Sequence, residues 1–279
     1  MSQVPVSSPR FGMRMNATGI VSGLIILCWA IIAVIGPSFA PHAPGDIVDF
    51  DFYGPMSGEL WLGSDYLGRD IFSRILLGTR YTVGISFGAV CIACFSGVVL
   101  GMTAAVTGGW FDAILSRVLD ALNSIPSKLF GLVMVAAIGS SIPVLVILLA
   151  VIYTPGSYRF ARALAVNCNT MDYVAVARAR GERTPYLIFQ EILPNITGPV
   201  LADLGLRFVF IVLLLSGLSF LGLGVQPPNA DWGSLVKENI GGLSFAAPAV
   251  IAPCLAIASL TISVNLLIDN LPVKIRDRS

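Results

Sequence analysis

Along this chain, charged residues fall in short clusters separated by long uncharged, apolar runs. A helix crossing the hydrocarbon core of a bilayer needs roughly 20 apolar residues. Six stretches meet that length, and they predict helices at about Thr18–Phe39, Val83–Val106, Ala113–Gly139, Pro143–Leu164, Ile196–Leu221 and Phe245–Ile268. The first is stopped by the Pro37–Pro44 stretch. Its long apolar core and the weak cleavage context Pro-Ser-Phe-Ala-Pro-His-Ala-Pro favour a retained helix over a signal peptide. The third contains Asp120, Pro126 and Lys128. Between the third and fourth, Gly-Ser-Ser-Ile-Pro predicts a tight turn, so these two form a helical hairpin.

This pattern divides the chain into a terminal segment 1–17, a first span 18–39, an outer loop 40–81, a five-helix body 82–270 and a tail 271–279. Orientation follows the bias of Lys and Arg toward the cytoplasm. With both termini inside, the cytoplasmic side holds Arg10, Arg14, Arg117, Arg159, Arg162, Arg178, Arg180, Arg183, Lys274, Arg276 and Arg278. The outside holds only Arg69, Arg74, Arg80 and Lys237, and its first loop is rich in acids.

Composition agrees with a bilayer as the main solvent. Hydrophobic residues make up 56% of the chain and charged residues 12%, about half the usual charged share of roughly 25%. Mean hydropathy is +0.84. A soluble enzyme, a disordered chain and a disulfide scaffold are all excluded on these grounds. The net charge of +1 gives no argument for nucleic acid. Cys91 and Cys94 have CxxC spacing but lie in an uncharged run, as small packing residues do. The lone His42 builds no metal site, and no phosphate-binding GxxxxGK[ST] is present.

The polar stretch 171–194 between the fourth and fifth spans is long for a connector. Asp172 suits a first-turn acid, and Val174 to Arg180 predict a short helix. Gly181 suits its stop, where φ > 0 is needed. Thr184 and Pro185 suit the cap and first residue of a second helix, ending before Pro194. Ala175, Ala177 and Ala179 are expected to form a small-residue face for a partner, with arginines beside it. From the residues alone, a solvated connector is the rival reading.

Three motifs carry a resemblance. Ala175-Val176-Ala177, three residues, Gly181, nine residues, Glu191, then Ile192-Leu193-Pro194 resembles the coupling motif of bacterial ABC importer permeases, with Ala175 at the usual Glu and Glu191 at the usual His. Leu62-Gly-Ser-Asp-Tyr-Leu-Gly68-Arg69-Asp70-Ile-Phe-Ser-Arg74 resembles the signature that precedes the second span. Ser219-Phe-Leu-Gly-Leu-Gly-Val-Gln-Pro-Pro-Asn-Ala-Asp-Trp232-Gly233 resembles the one that follows the fifth. Their order and placement match the C-type membrane subunit of dipeptide, oligopeptide and nickel permeases.

The resemblance implies an all-α membrane fold of six transmembrane helices, of the type I ABC importer kind, with cytoplasmic coupling helices. Ala175, Val176, Ala177, Gly181, Glu191, Leu193 and Pro194 would couple to ATPases. The implied partners are a homologous B-type permease subunit in a heterodimer, two cytoplasmic ATPases that hold the ATP and Mg, and an extracytoplasmic binding protein, in the inner membrane. This chain would itself bind no cofactor. Di- or oligopeptides are the expected cargo, with nickel chelates, opines or sugars as alternatives.

Gly68, Arg69 and Asp70 are expected to form a structural turn, with Arg69 and Asp70 pairing locally. Lys128, Asp120 and Ser219 are candidates for the pathway, with a Lys128 that snorkels to the interface as the plainer reading. Asp203 and Arg207, one turn apart, predict an i, i+4 pair. A secondary transporter or channel would favour inverted repeats and mid-membrane charges, which this chain lacks beyond those few. An intramembrane enzyme would need a nucleophile–base pair or HExxH, and the single His lies in the outer loop.

Overall fold

A computed structural model describes residues 16–245 and 247–270. The terminal cations Arg10, Arg14, Lys274, Arg276 and Arg278, and with them most of the segments 1–17 and 271–279, lie outside the described residues. Among those described, the chain is helical and has no strand, only the isolated bridges Ile47–Arg69 and Ser64–Asp70.

The elements are α1 (Ala17–Phe39), α2 (Ile71–Thr107), α3 (Gly109–Ser124), α4 (Ser127–Ile138), α5 (Ile142–Asn169), α6 (Asp172–Ala179), α7 (Thr184–Tyr186), a π-helical turn Leu187–Ile192, α8 (Leu193–Phe220), α9 (Trp232–Glu238), a 3₁₀ turn Ile240–Phe245 and α10 (Pro248–Asp269). Five helical rods are long and apolar enough to cross a membrane, and the bent pair α3–α4 makes a sixth if it counts as one crossing.

Three boundaries differ from the sequence expectation. The second helix starts at Ile71, not near Val83. Asp70 caps it by accepting from the backbone N–H groups of Phe72 and Ser73 at 3.0 and 3.1 Å. Its 37 residues span about 55 Å at 1.5 Å per residue, well beyond a hydrocarbon core of about 30 Å. Arg74 and Arg80 therefore stand on a helical stem and not in a loop.

The third expected span is broken. α3 and α4 meet at 85°. Pro126 has no N–H to continue the ladder, and the residue before a proline is driven out of the α region. Ile125 accordingly has ψ 126.

Pro194 does not separate two helices either. α7, the π turn and α8 form one rod, Thr184–Phe220. The π turn carries the chain past the proline, with Leu193 N–H donating to Ile188 C=O five residues back. Widening the helix there relieves the clash that a proline ring makes with the preceding turn.

The tightest packing joins α2 to α5. A Cβ at Gly97 would lie 2.5 Å from Ser157 Cβ, and one at Gly101 2.7 Å from the Tyr158 carbonyl oxygen. Small residues let two backbones close to this distance, as at other membrane helix contacts. The main core runs along α2, α5, α8 and α10 and ends on Trp232 of α9. Trp232 is fully buried, edge-on to Trp29 at 4.8 Å, and its backbone N–H donates to Thr82 Oγ1 at 3.0 Å.

Candidate functional site

Two polar centres of the described residues lie at the two ends of α2. Near its last turn lies the short helix α6. Val174 and Ala177 of α6 are buried against Leu187 of the π turn, with Val106 of α2 and Tyr173 alongside. Asn169 donates to the Ala105 carbonyl at 3.2 Å and accepts from Arg178 at 2.9 Å, which fixes the entry to α6. Asp172 lies in the first turn of α6.

α6 ends at Gly181, which has φ +82. Only glycine takes this conformation without strain. The backbone closes the turn through Gly181 N–H to Arg178 C=O at 3.0 Å and Glu182 N–H to Ala177 C=O at 3.3 Å. A side chain at Gly181 would meet nothing within 4 Å, so this position faces open space.

The alanine face expected on α6 is divided. Ala177 is fully buried, while Ala175 and Ala179 are exposed. Residues two apart do not share a helix face, whereas those three and four apart do. The outward stripe is instead Asp172, Ala175, Val176 and Ala179, with Val176 56% exposed and Met171 beside it 48% exposed. The sequence supports this stripe, because only the 3.6-residue period turns Val174 and Ala177 inward together. Within residues 171–194, Arg180 pairs with Glu191 at 3.9 Å, the arginine more than half exposed. Ile192, Leu193 and Pro194 follow directly into the rod of α8, with Ile192 fully buried.

At the other end of α2, residues 40–70 fold over the stem and meet α9. Gly68, with φ +75, makes the bend. Asp65 accepts from Arg69 Nε and from Arg74 Nη1, both at 2.7 Å, and Glu238 accepts from the same two arginines at 2.7 and 2.8 Å. Asp65 and Arg74 are almost wholly buried. Burial alone would lower the Arg69 pKa, yet Asp65 and Glu238 outweigh it and hold the guanidinium above its ordinary value. Asp70 also accepts from Ser73 Oγ at 2.5 Å and lies 3.2 Å from His42 Nδ1. The sequence marked Arg69 and Asp70 as a local pair. They take different partners, and the long-range partner Glu238 had no signal in the sequence.

Ser219, a pathway candidate, is 1% exposed and donates to Asp231 Oδ2 at 2.6 Å. It cannot line an open pathway in this arrangement, because the loop that returns to α9 covers it. Asp231 itself is wholly buried and caps α9, sharing a capping box with Ser234. Burial pushes its carboxyl above the usual range, against the hydrogen bonds from Ser219 and Ser234. Asp120 pairs with Arg159 at 2.9 Å on an exposed surface. Lys128 is exposed in the first turn of α4, beside the bend. Residues on either side of that bend, with Val151 and Ile152 of α5, line a cavity of about 220 Å³. One pairing went unrecognised in the sequence: Arg162 donates through Nε and Nη2 to Asp112, both at 2.5 Å, tying α3 to α5. The two residues are 50 positions apart, which periodicity cannot connect.

The class these features define is a polytopic helical membrane protein whose rods run into a short exposed helix at one end and a buried polar clamp at the other. Among the described residues, no group of side chains could hold a metal ion. Residues 97–277 match the family described as binding-protein-dependent transport system inner membrane component, and the chain belongs to that family. It is similar to the glutathione transport system permease protein GsiD of Pectobacterium atrosepticum, 33% identical over 90% of this chain and 84% of that one. It is also similar to the dipeptide transport system permease protein DppC of Alkalihalophilus pseudofirmus, 31% identical over 93% and 85%. A third relative, the probable D,D-dipeptide transport system permease protein DdpC of Escherichia coli, is 33% identical over 79% of this chain and 74% of its own length. The protein is thus a multi-pass transport subunit of the inner membrane and not an enzyme.

Proposed function

We propose that this chain is a permease subunit of an ATP-driven importer for di- or oligopeptides, and that residues 171–194 are its ATPase-coupling segment. The peptide cargo is drawn from what the relatives are named for. The observation that carries the coupling role is mechanical. The exposed stripe of α6 turns at Gly181 into a rod, Thr184–Phe220, that is unbroken into the membrane. A partner pressing on Ala175, Val176 and Gly181 therefore moves α8 as a lever, with Glu191, Leu193 and Pro194 in the shaft. Ala177 serves by seating α6 on Leu187 and not by touching the partner.

The assembly we infer contains a homologous B-type permease subunit, two cytoplasmic ATPases on the coupling segments and an extracytoplasmic binding protein. In it, both termini and residues 171–194 lie in the cytoplasm, and residues 40–70 and 222–245 lie outside. Lys128 and Asp120, near the bend of α3 and α4, border the pathway. Reporter fusions test the frame. Fusions at Asp51 and Asp231 are expected to read external, and those at Arg180 and the C-terminus cytoplasmic. An external signal at Arg180 overturns the coupling role, because an ATPase could not reach it.

A further inference from the structure

Near the middle of α8, Asp203 and Arg207 form an ion pair, with Arg207 Nε and Nη2 donating to the carboxylate at 2.6 and 2.9 Å. Their side chains are 13% and 14% exposed. Charges at this depth are costly and turn toward a bundle interior or a water-filled cavity, not toward lipid. The third guanidinium nitrogen, Nη1, lies over Gly156 of α5, where any Cβ would collide with it. It donates to nothing among the described residues. Beside the pair, Tyr153 of α5 donates to the Phe210 carbonyl at 3.0 Å. Phe210, on the same face of α8 as Asp203 and Arg207, is 54% exposed. The pair thus lies at the edge of an uncovered helix face with donor capacity left over.

We propose that this face borders the aqueous pathway and that Arg207 Nη1 receives the carboxylate of a short peptide in transit. Charge-assisted hydrogen bonds from a guanidinium to a carboxylate are the strong ones, and the missing Cβ of Gly156 lets the guanidinium lie against α5. Asp203 holds the guanidinium flat and keeps the site near neutral, so that the peptide is held but not trapped. The assignment rests on the peptide reading given above.

The test uses the whole complex with a Phe210→Cys reporter and the native cysteines replaced. A charged, membrane-impermeant maleimide is applied in each nucleotide state, with alanyl-alanine or its C-terminal amide. Labelling is expected in at least one state. Alanyl-alanine should slow it about tenfold at ~10 times its dissociation constant, since about one site in eleven is then empty. The amide should slow it far less. Replacing the pair together, Asp203→Asn with Arg207→Gln, avoids stranding one charge and should abolish the difference between the two peptides. No labelling in any nucleotide state, or equal protection by acid and amide, overturns the assignment. ATP-driven uptake of alanyl-alanine by the parental complex in proteoliposomes separates the two failures. Uptake without protection at Phe210→Cys sinks only the role of Arg207. Absence of uptake sinks the peptide reading, and this assignment with it.

Discussion

The clamp at the α9 end and the segment 171–194 at the α6 end use the same residue types in opposite ways. In the clamp, Asp65, Arg69, Arg74 and Glu238 neutralise one another inside the protein, each bond at 2.8 Å or less. At the α6 end, Arg180 and Glu191 stand 3.9 Å apart with the arginine exposed, and the outward stripe of α6 mixes Asp172 with the small or apolar Ala175, Val176 and Ala179. The clamp is a finished structure whose two acids and two arginines are paired with one another. The segment 171–194 presents an exposed stripe on α6, which is seated by Val174, Ala177 and the Asn169 bonds. Binding work at a surface requires groups that folding has left free, and the exposed stripe of α6 offers such groups.

The contrast can be broken most severely at the clamp. Asp65→Ala strands two buried arginines, and removing one partner of a buried pair costs about 3–5 kcal/mol. We expect a large fall in thermal stability and early protease cleavage in residues 40–70, with α6 unaffected. Stability within about 1 kcal/mol of the parent would show that water reaches the cluster.

A smaller effect is expected at Gly181. Gly181→Val forces a β-branched residue to φ +82, a strain of about 1–2 kcal/mol. No apolar run is touched, so membrane insertion should persist. Co-purification of the ATPases, substrate-stimulated ATP hydrolysis and transport should all fall. Gly45→Val, which also meets nothing within 4 Å but lies in the other loop, is the control. Parental transport by Gly181→Val would return residues 171–194 to an ordinary connector.

The smallest effect belongs to Arg180→Ala. Exposed ion pairs contribute about 0–1 kcal/mol, so melting should barely move. A shift like that at Asp65 would mean the two ends are built alike.

Much of this was legible in the sequence. The apolar runs located five rods, because desolvation dictates them residue by residue. Gly181 and Thr184–Pro185 marked the turn within residues 171–194, because backbone stereochemistry is local. The failures share a cause. Arg74 and Arg80 read as loop charges, since the burial of Arg74 is offset by Asp65 and by Glu238, distant in sequence, while Arg80 is exposed on the helical stem. Pro126 announced a disruption, yet an 85° angle depends on what α5 offers on either side. Ser219 reads as a polar residue in an apolar span until Asp231, twelve residues on, is seen to cover it. Ala177 was grouped with Ala175 and Ala179 although the helical period separates them.

The π turn at Leu187–Ile192 has a consequence for phase. It fits one extra residue into a turn, so everything after Leu193 is rotated about 100° from where an uninterrupted α-helix would carry it. The azimuth of α8, and so the direction in which Asp203, Arg207 and Phe210 point, is set by a six-residue segment well over a helical turn away. Deleting one residue there would let the ladder close regularly. The rod would keep nearly its length and composition, and its charged face would swing by about a quarter turn, toward what is now its neighbour's side.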